Sequence, residues 1–78
     1  MDSWDDLRYF QAVAETGSLT GARKRLGVNH STVFRRIKGL EEKLGVRLFE
    51  RWDTRYQLTG AGELLMVRVE QVAEGIDD

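Results

Sequence analysis

The sequence predicts a mainly α-helical domain that carries one short β-hairpin. Three observations lead to this fold class. Apolar residues recur every three or four positions in four segments, glycine follows each of the first three segments, and residues 47–58 change to short β-capable runs. The chain has 78 residues, of which 41% are hydrophobic, so it has enough apolar material for one small core and too little for two.

The first predicted helix begins with Ser3 as its N-cap and ends at Gly17. Asp5 and Asp6 lie in its first turn, where the helix dipole favours negative charge. Its inward stripe consists of Leu7, Phe10, Val13 and Ala14.

A short second helix and a longer third helix follow, separated by a tight connection at residues 27–29. Ser18 is the expected N-cap of the second helix, and Gly27 ends it. Asn29 is the expected N-cap of the third, and Gly45 ends it. The inward stripes are Leu19, Ala22 and Leu26 in the second helix, and Val33, Ile37, Leu40 and Leu44 in the third.

Two short β-capable runs, residues 47–51 and 55–58, are joined by residues 52–54 and predict a hairpin. A two-stranded hairpin alone is only marginally stable in water. We therefore expect Leu48 or Phe49, together with Leu58, to anchor it to the helical core.

The last predicted helix begins after Thr59 as its N-cap and stays apolar as far as Ile76, which is longer than a core of this size can cover. Its near-heptad seam consists of Ala61, Leu65, Val69, Val72 and Ile76. We expect this surplus stripe to pair with its copy in a symmetric homodimer, with an interface of Leu65, Val69, Val72 and Ile76. One alternative is that the helix folds back onto the first helix of its own chain. Another is a mixed arrangement, in which Leu7 and Phe10 of the first helix contribute to the same interface.

Composition argues against several classes of protein. The chain has no cysteine for disulfides or a thiolate zinc site, and no run of about 18 apolar residues to span a bilayer. It has one histidine and no glycine-rich phosphate loop, and the acid pairs Asp5/Asp6 and Glu41/Glu42 are expected on solvated faces. We thus expect no enzyme activity, no cofactor, no metal and no membrane partner. A secretory leader begins with basic and then apolar residues, whereas this chain begins with acidic ones. The sequence therefore favours a cytoplasmic location.

The net charge of −1 conceals a segregated distribution. Residues 22–58 hold ten basic and four acidic side chains, a net charge of +6, between two acidic ends. Clustered lysine and arginine displace counterions from phosphates, so the middle segment favours a face that binds a polyanion. An ordinary solvated surface is the alternative.

The order of helix, short helix, tight connection and cation-bearing helix is typical of a helix-turn-helix, whose last helix can enter the major groove of DNA. The hairpin that follows makes it a winged helix-turn-helix. The N-terminal half of the third helix is polar and basic, and it carries free backbone amides and the positive end of the helix dipole, which favour phosphates.

Several ordered blocks of the sequence resemble one known family. They are Gly17-Ser18-Leu19-Thr20, Leu26-Gly27-Val28, Leu40-Glu41-Glu42-Lys43-Leu44-Gly45-Val46, Leu48-Phe49-Glu50-Arg51 and Leu58-Thr59-Gly60-Ala61-Gly62-Glu63. At this spacing the chain resembles, over essentially its whole length, the N-terminal DNA-binding domain of LysR-type bacterial transcriptional regulators.

The resemblance implies that residues 1–58 form a winged helix-turn-helix DNA-binding domain and that residues 59–78 begin a linker helix that makes the homodimer. The recognition helix would span about residues 29–44. Residues 46–58 or thereabouts would form the wing, which contacts the DNA backbone or the minor groove. The implied partner is double-stranded DNA with dyad-symmetric promoter sites, bound by a dimer or, in the full-length protein, a tetramer. A small-molecule co-inducer is expected only through an effector-binding domain that this chain lacks, so the chain is a fragment or a stand-alone protein.

The same resemblance implies site residues. Base contacts are expected at His30, Ser31, Phe34 and Arg35. Contacts with the DNA backbone are expected at Ser18, Thr32, Arg36, Lys38, Arg51 and Arg55. Arg35 suits guanine because its guanidinium can bond both O6 and N7. Phe34 either touches a thymine methyl or covers its own helix, and Ser31 and Thr32 either read DNA or hold the first turn of their helix.

The chain departs from the family pattern at Phe34, where serine is common, and at Arg23, where the motif usually has alanine.

The alternative function is a winged-helix module that dimerises and binds protein instead of DNA.

Overall fold

Four helices and one antiparallel hairpin follow one another in the predicted order. The computed structural model describes the backbone of residues 2–77 and the side chains of residues 4–72. The helices are α1 (Asp2–Thr16), α2 (Leu19–Leu26), α3 (His30–Leu44) and α4 (Gly60–Asp77), and the strands are β1 (Phe49–Trp52) and β2 (Arg55–Leu58). The mainly helical fold class is confirmed. Within the described residues, no helix combines the length and hydropathy needed to cross a bilayer.

Most helix ends lie where local signals predict them. The Ser18 hydroxyl accepts the Gly21 N–H at 2.9 Å, and Thr59 Oγ1 accepts an N–H from the first turn of α4 at 3.0 Å. Gly27 and Gly45 end α2 and α3 with φ of 69° and 72°, a left-handed conformation that favours glycine.

One predicted cap is wrong, and a second is in the predicted place without a side-chain bond. Since α1 already includes Asp2, Ser3 lies inside the helix and is not its N-cap. Asn29 has the extended backbone of an N-cap, but its side chain makes no capping bond. Instead, the Asn29 carbonyl accepts the N–H groups of Thr32 and Val33 at 3.1 and 3.3 Å, so backbone bonds alone close this turn.

The core lies where α1, α2 and α3 meet, and the base of the hairpin closes it. Its fully buried side chains include Phe10, Val13, Val33 and Leu48. Phe49 is also buried, with its ring centroid 5.4 Å from that of Phe10, so the predicted anchoring of the hairpin is confirmed. Leu44 was expected inside but is 49% exposed, because it is the last residue of α3 and lies at the edge of the core.

The hairpin is shorter than predicted at its start and tighter at its turn. Arg51 pairs with Tyr56 and Trp52 with Arg55, so the connection is the two-residue turn 53–54. Asp53 has φ of 62°, a conformation that aspartate tolerates better than most residues. The Tyr56 N–H donates to the Gly17 carbonyl at 2.8 Å and ties β2 to the turn between α1 and α2.

The start of α4 crosses the chain very closely at Leu48. The Leu48 carbonyl accepts the Thr59 N–H at 3.0 Å, and a Cβ added to the buried Gly62 would lie 2.2 Å from the same oxygen. Glycine at position 62 is therefore required by the crossing.

The apolar side chains of α4 divide between two faces. Val69 is 7% exposed and belongs to the core of its own chain, and Leu65 packs against that core. Leu64, Val67 and Val72 are 62%, 48% and 46% exposed. Of the predicted interface residues, Val72 has the largest exposed fraction, whereas Val69 exposes little surface that a partner could contact. The side chain of Ile76 lies outside the described residues.

Candidate nucleic-acid interface

The open face of α3 is polar and cationic. Val33, Ile37 and Leu40 are buried on one side of the helix. Ser31, Arg35 and Lys38 are exposed on the opposite side, because residues two or five positions from Val33 lie between about 140° and 200° around the helix. His30 is exposed at the first helical position, where backbone N–H groups are free of helical partners.

The hairpin contacts this face of α3 through the guanidinium group of Arg51. The Arg51 guanidinium carbon lies 5.8 Å from the ring centroid of Phe34 on α3 and 5.5 Å from that of Tyr56 on β2. Phe34 is 37% exposed. The structure thus brings Phe34 and Arg51 together, although they were predicted to contact different parts of DNA.

A cleft separates the rest of α3 from the hairpin. Its lining includes Lys38 and Glu41 from α3, and Arg47, Arg51 and Tyr56 from the segment of the wing. Three cationic side chains therefore surround a cleft that opens beside the exposed face of α3. Burial raises the pKa of the Tyr56 phenol, an effect that the nearby Arg51 charge partly offsets.

Glu41 has a structural partner that its sequence context did not indicate. Its Oε2 accepts the N–H groups of Leu48 and Phe49 at 2.8 and 3.3 Å, so it joins α3 to the base of the wing. The expectation of a solvated face is wrong for Glu41 and correct for Glu42, which is exposed.

Arg36 is separated from the open face of α3. Its Nη1 lies 3.2 Å from Asp6 Oδ1, and its guanidinium lies 5.2 Å from the centre of the Tyr9 ring. The hydrogen bond to Asp6 raises the pKa of Arg36. Lys43 Nζ lies 3.1 Å from the second Asp6 oxygen. Arg36, predicted to contact the DNA backbone, is therefore directed towards α1.

Asp6 is 6% exposed, which sequence reasoning missed by placing it on a solvated face. A signal was present: Asp6, Phe10 and Val13 follow one another at spacings of four and three, and the two apolar residues are buried. Asp6 is therefore the polar member of the inward stripe of α1.

The other predicted contacts lie at the edges of this surface. Ser18 and Thr32 are half-buried near the starts of α2 and α3, and Arg55 is exposed at the tip of the hairpin. Its cross-strand neighbour Trp52 is 63% exposed, and no periodic pattern marked this residue in the sequence. Among the described residues, no three metal-ligating side chains come together.

Comparison with known proteins identifies the architecture. Residues 4–63 match the model of the bacterial regulatory helix-turn-helix proteins of the lysR family. A probable nitrogen assimilation transcriptional activator of Synechococcus elongatus is 47% identical over 70 residues, which cover 90% of this chain and 22% of that protein. The transcriptional regulator YofA of Bacillus subtilis is 44% identical over 72 residues, 92% of this chain and 25% of the relative. The chain thus spans about a quarter of the length of these relatives.

Solved structures give the same result. The crystal structure of the CbnR DNA-binding domain in complex with DNA has a TM-score of 0.85 and 37% identity, covering 94% of this chain and 84% of that one. The BenM DNA-binding domain in complex with benA site 1 DNA has a TM-score of 0.85 and 33% identity, covering 94% and 85%. The family model covers more than half of the chain, and both the fold and the relatives agree with it. The chain belongs to the lysR family of bacterial regulatory helix-turn-helix proteins.

Proposed function

We propose that this chain binds double-stranded DNA sequence-specifically, as the DNA-reading part of a LysR-type transcriptional regulator. One observation carries the proposal: the exposed cationic face of α3, with Arg35 and Lys38, lies beside a wing that presents Arg47, Arg51 and Arg55. An α-helix fits the major groove, and a neighbouring cationic hairpin is then suitably placed for the backbone or minor groove. That two similar domains were crystallised with DNA supports the proposal.

Residues on the open face of α3 are proposed to read bases. Arg35 is exposed, so both parallel N–H donors are available to a guanine. His30 and Ser31 are exposed at the start of the helix, and their short side chains would let the helix approach base edges. Phe34 has Arg51 over its ring, which favours the covering role over contact with a thymine methyl.

Residues around that face are proposed to contact phosphates. These are Lys38, Arg51, Arg55, Thr32 and Ser18. The Ser18 hydroxyl accepts a bond from Gly21, which leaves its own hydrogen free to donate to a phosphate oxygen. Arg36 is less favoured for this role because its guanidinium is directed towards α1 and paired with Asp6, an acid that Lys43 shares.

We further propose that the chain acts as a homodimer on dyad-symmetric sites in the bacterial cytoplasm, by binding and without catalysis. Exposed Leu64 and Val72 on α4 supply apolar surface for a second copy. Leu44 and Val46 extend this surface, since both are exposed and line the same groove as Leu64. We propose a tetramer and a co-inducer response only for a full-length regulator that carries an effector-binding domain.

Selection of bound sequences from a random duplex pool, followed by affinity measurements at several salt concentrations, tests the proposal. We expect enrichment of a two-half-site sequence and a steep loss of affinity with salt. Arg35→Ala should relax the preference at one position of the site, whereas Arg51→Ala and Arg55→Ala should each reduce the salt slope by about one.

Arg8→Ala is a matched control, because Arg8 is exposed on α1 and lies 3.8 Å from Asp5. It removes one positive charge without touching α3 or the wing, so the salt slope should stay close to that of the parent. A folded chain with no duplex enrichment and no salt dependence would favour a module that binds protein.

A further inference from the structure

Arg51 lies within cation–π distance of two aromatic rings that belong to different parts of the fold. Its guanidinium carbon lies 5.8 Å from the centre of Phe34 and 5.5 Å from the centre of Tyr56. Tyr56 is the direct cross-strand partner of Arg51, so that contact stays within the hairpin. Phe34 adds α3 to the stack and thereby joins the recognition helix to the wing.

The stack restricts a side chain that is otherwise very flexible. A guanidinium over a ring is attracted by the negative charge of the π face, and its planar shape allows stacking from two sides. Arginine loses much rotamer freedom when it is fixed on a ligand. A guanidinium already held in place loses less of that freedom on binding, which increases affinity.

The charge of Arg51 remains available to an external anion. Among the side chains of residues 4–72, no carboxylate lies within 4 Å of the Arg51 guanidinium nitrogens. Arg36 differs from Arg51 in this respect: its guanidinium also lies over a ring, that of Tyr9, but it is paired with the carboxylate of Asp6. The carboxylate of Glu41, in the same cleft, accepts the N–H groups of Leu48 and Phe49. Arg51 is thus positioned by rings and not neutralised by an acid.

We propose that Phe34 is a positioning residue that acts through Arg51. Together with Tyr56, its ring holds the guanidinium towards the DNA backbone and fixes the wing relative to α3, and Phe34 itself reads no base. The inference rests on the proposed DNA binding and assigns a separate role to one residue within it.

Three variants separate this role from direct base contact. Phe34→Leu keeps an apolar side chain and removes the π face, Phe34→Tyr keeps the π face, and Arg51→Ala removes the charge. In Phe34→Leu we expect about a twofold to fivefold loss of affinity for duplex DNA, the range that one exposed cation–π contact supports. Phe34→Tyr should restore most of the affinity, and the sequence selected from a random pool should not change in either variant.

A double-mutant cycle tests whether Phe34 acts through Arg51. In the Arg51→Ala background, Phe34→Leu should have no further effect on affinity or on the salt slope. NMR of the free protein gives a readout independent of DNA: the Arg51 side-chain resonances, shifted upfield by the rings, should move downfield in Phe34→Leu and stay shifted in Phe34→Tyr.

Two results would overturn the inference. One is that Phe34→Leu changes the preferred base at a position of the site, which would make Phe34 a reader. The other is that Phe34→Leu weakens binding equally with and without Arg51. Failure of the proposed wing contact is distinguishable, because Arg51→Ala would then itself leave affinity and salt slope unchanged, and the role of Phe34 would be rejected with it.

Discussion

Asp6 of α1 and Arg36 of α3 are bonded at 3.2 Å across the contact between the two helices, although 30 positions separate them in the chain. Lys43, seven positions further along α3, reaches the second oxygen of the same carboxylate at 3.1 Å. One buried acid thus holds two points of α3 and fixes the direction in which the helix presents its open face.

Asp6→Asn should lower the free energy of unfolding by about 1–2 kcal/mol, because bonds to a charged acceptor are stronger than neutral ones and the half-exposed partners limit the gain. Urea denaturation measures the change. Asp5→Asn is the control, since Asp5 meets Arg8 only at 3.8 Å on the surface, and its effect should stay within about 0.5 kcal/mol. Equal effects of the two variants would contradict the structural role of Asp6.

Glu41→Ala should detach the base of the wing from α3. The amides of Leu48 and Phe49 would lose their acceptor, at a cost of about 1–3 kcal/mol in the free energy of unfolding. Amide hydrogen exchange at these two residues should accelerate. Glu42→Ala, one position away and exposed, should change neither quantity, and a similar effect there would show that helix charge is responsible.

Gly62→Ala should destabilise the chain by more than about 2 kcal/mol, because the added Cβ would lie 2.2 Å from the Leu48 carbonyl oxygen and force α4 away from the wing. Gly60→Ala tests the same change two residues earlier, where no heavy atom lies within 4 Å of the added Cβ. This control should be neutral or stabilising by about 0.5–1 kcal/mol through helix propensity. Thermal and urea unfolding of both variants measure the difference.

Tyr56 should make stability depend on pH in alkaline solution. Burial raises the pKa of its phenol in the folded chain above the ordinary value of 10.0. As pH rises through that value, the unfolded chain loses the proton first, so the free energy of unfolding falls with pH. Its contribution is complete below the unfolded pKa and lost as pH rises through the folded pKa.

Tyr56→Phe should remove this part of the pH dependence. Among the described residues the phenol oxygen has no hydrogen-bond partner, so we expect stability at neutral pH to stay equal or rise by about 0.5 kcal/mol. Urea unfolding of both proteins from pH 8 to pH 11 supplies the comparison. The same alkaline loss in Tyr56→Phe would assign the effect to other groups.

Val72→Asp should weaken the proposed homodimer, because it places a charge in the exposed apolar stripe of α4. Sedimentation at several concentrations should show monomers where the parent dimerises, with weaker binding to a two-half-site duplex. Glu70→Gln, a change of one charge about 160° around the helix from Val72, should leave the dimer intact. A substitution at Val69 would test folding instead, since that side chain is 7% exposed within its own chain.

Sequence reasoning succeeded where the physical cause is local. The caps at Ser18 and Thr59, and the left-handed glycines at positions 27 and 45, depend on bonds within a few residues. The apolar stripes of α1 and of most of α3 follow from helical spacing alone. These local signals were enough to predict the winged helix-turn-helix.

The wrong predictions concern side chains whose contacts lie in another element of the fold, far away in the sequence. Asp6 has its partners on α3, and Glu41 has its partners at the base of the wing, so neither set of bonds follows from helical periodicity. Val69 continues a heptad in the sequence, yet it is 7% exposed within its own chain, because α4 crosses Leu48 closely at Gly62 and packs against the core. The stack of Arg51 on Phe34 depends on how the hairpin packs against α3, which no pattern within either element specifies.

The crossing of Gly62 over the Leu48 carbonyl joins the root of α4 to the root of the wing without an intervening linker. With 18 residues, α4 is about 27 Å long, and its first turn is anchored to the wing at this crossing. In the proposed homodimer, tilting α4 about this crossing would turn the hairpin with it, so the spacing between the two wings would depend on the tilt of the helices that carry them.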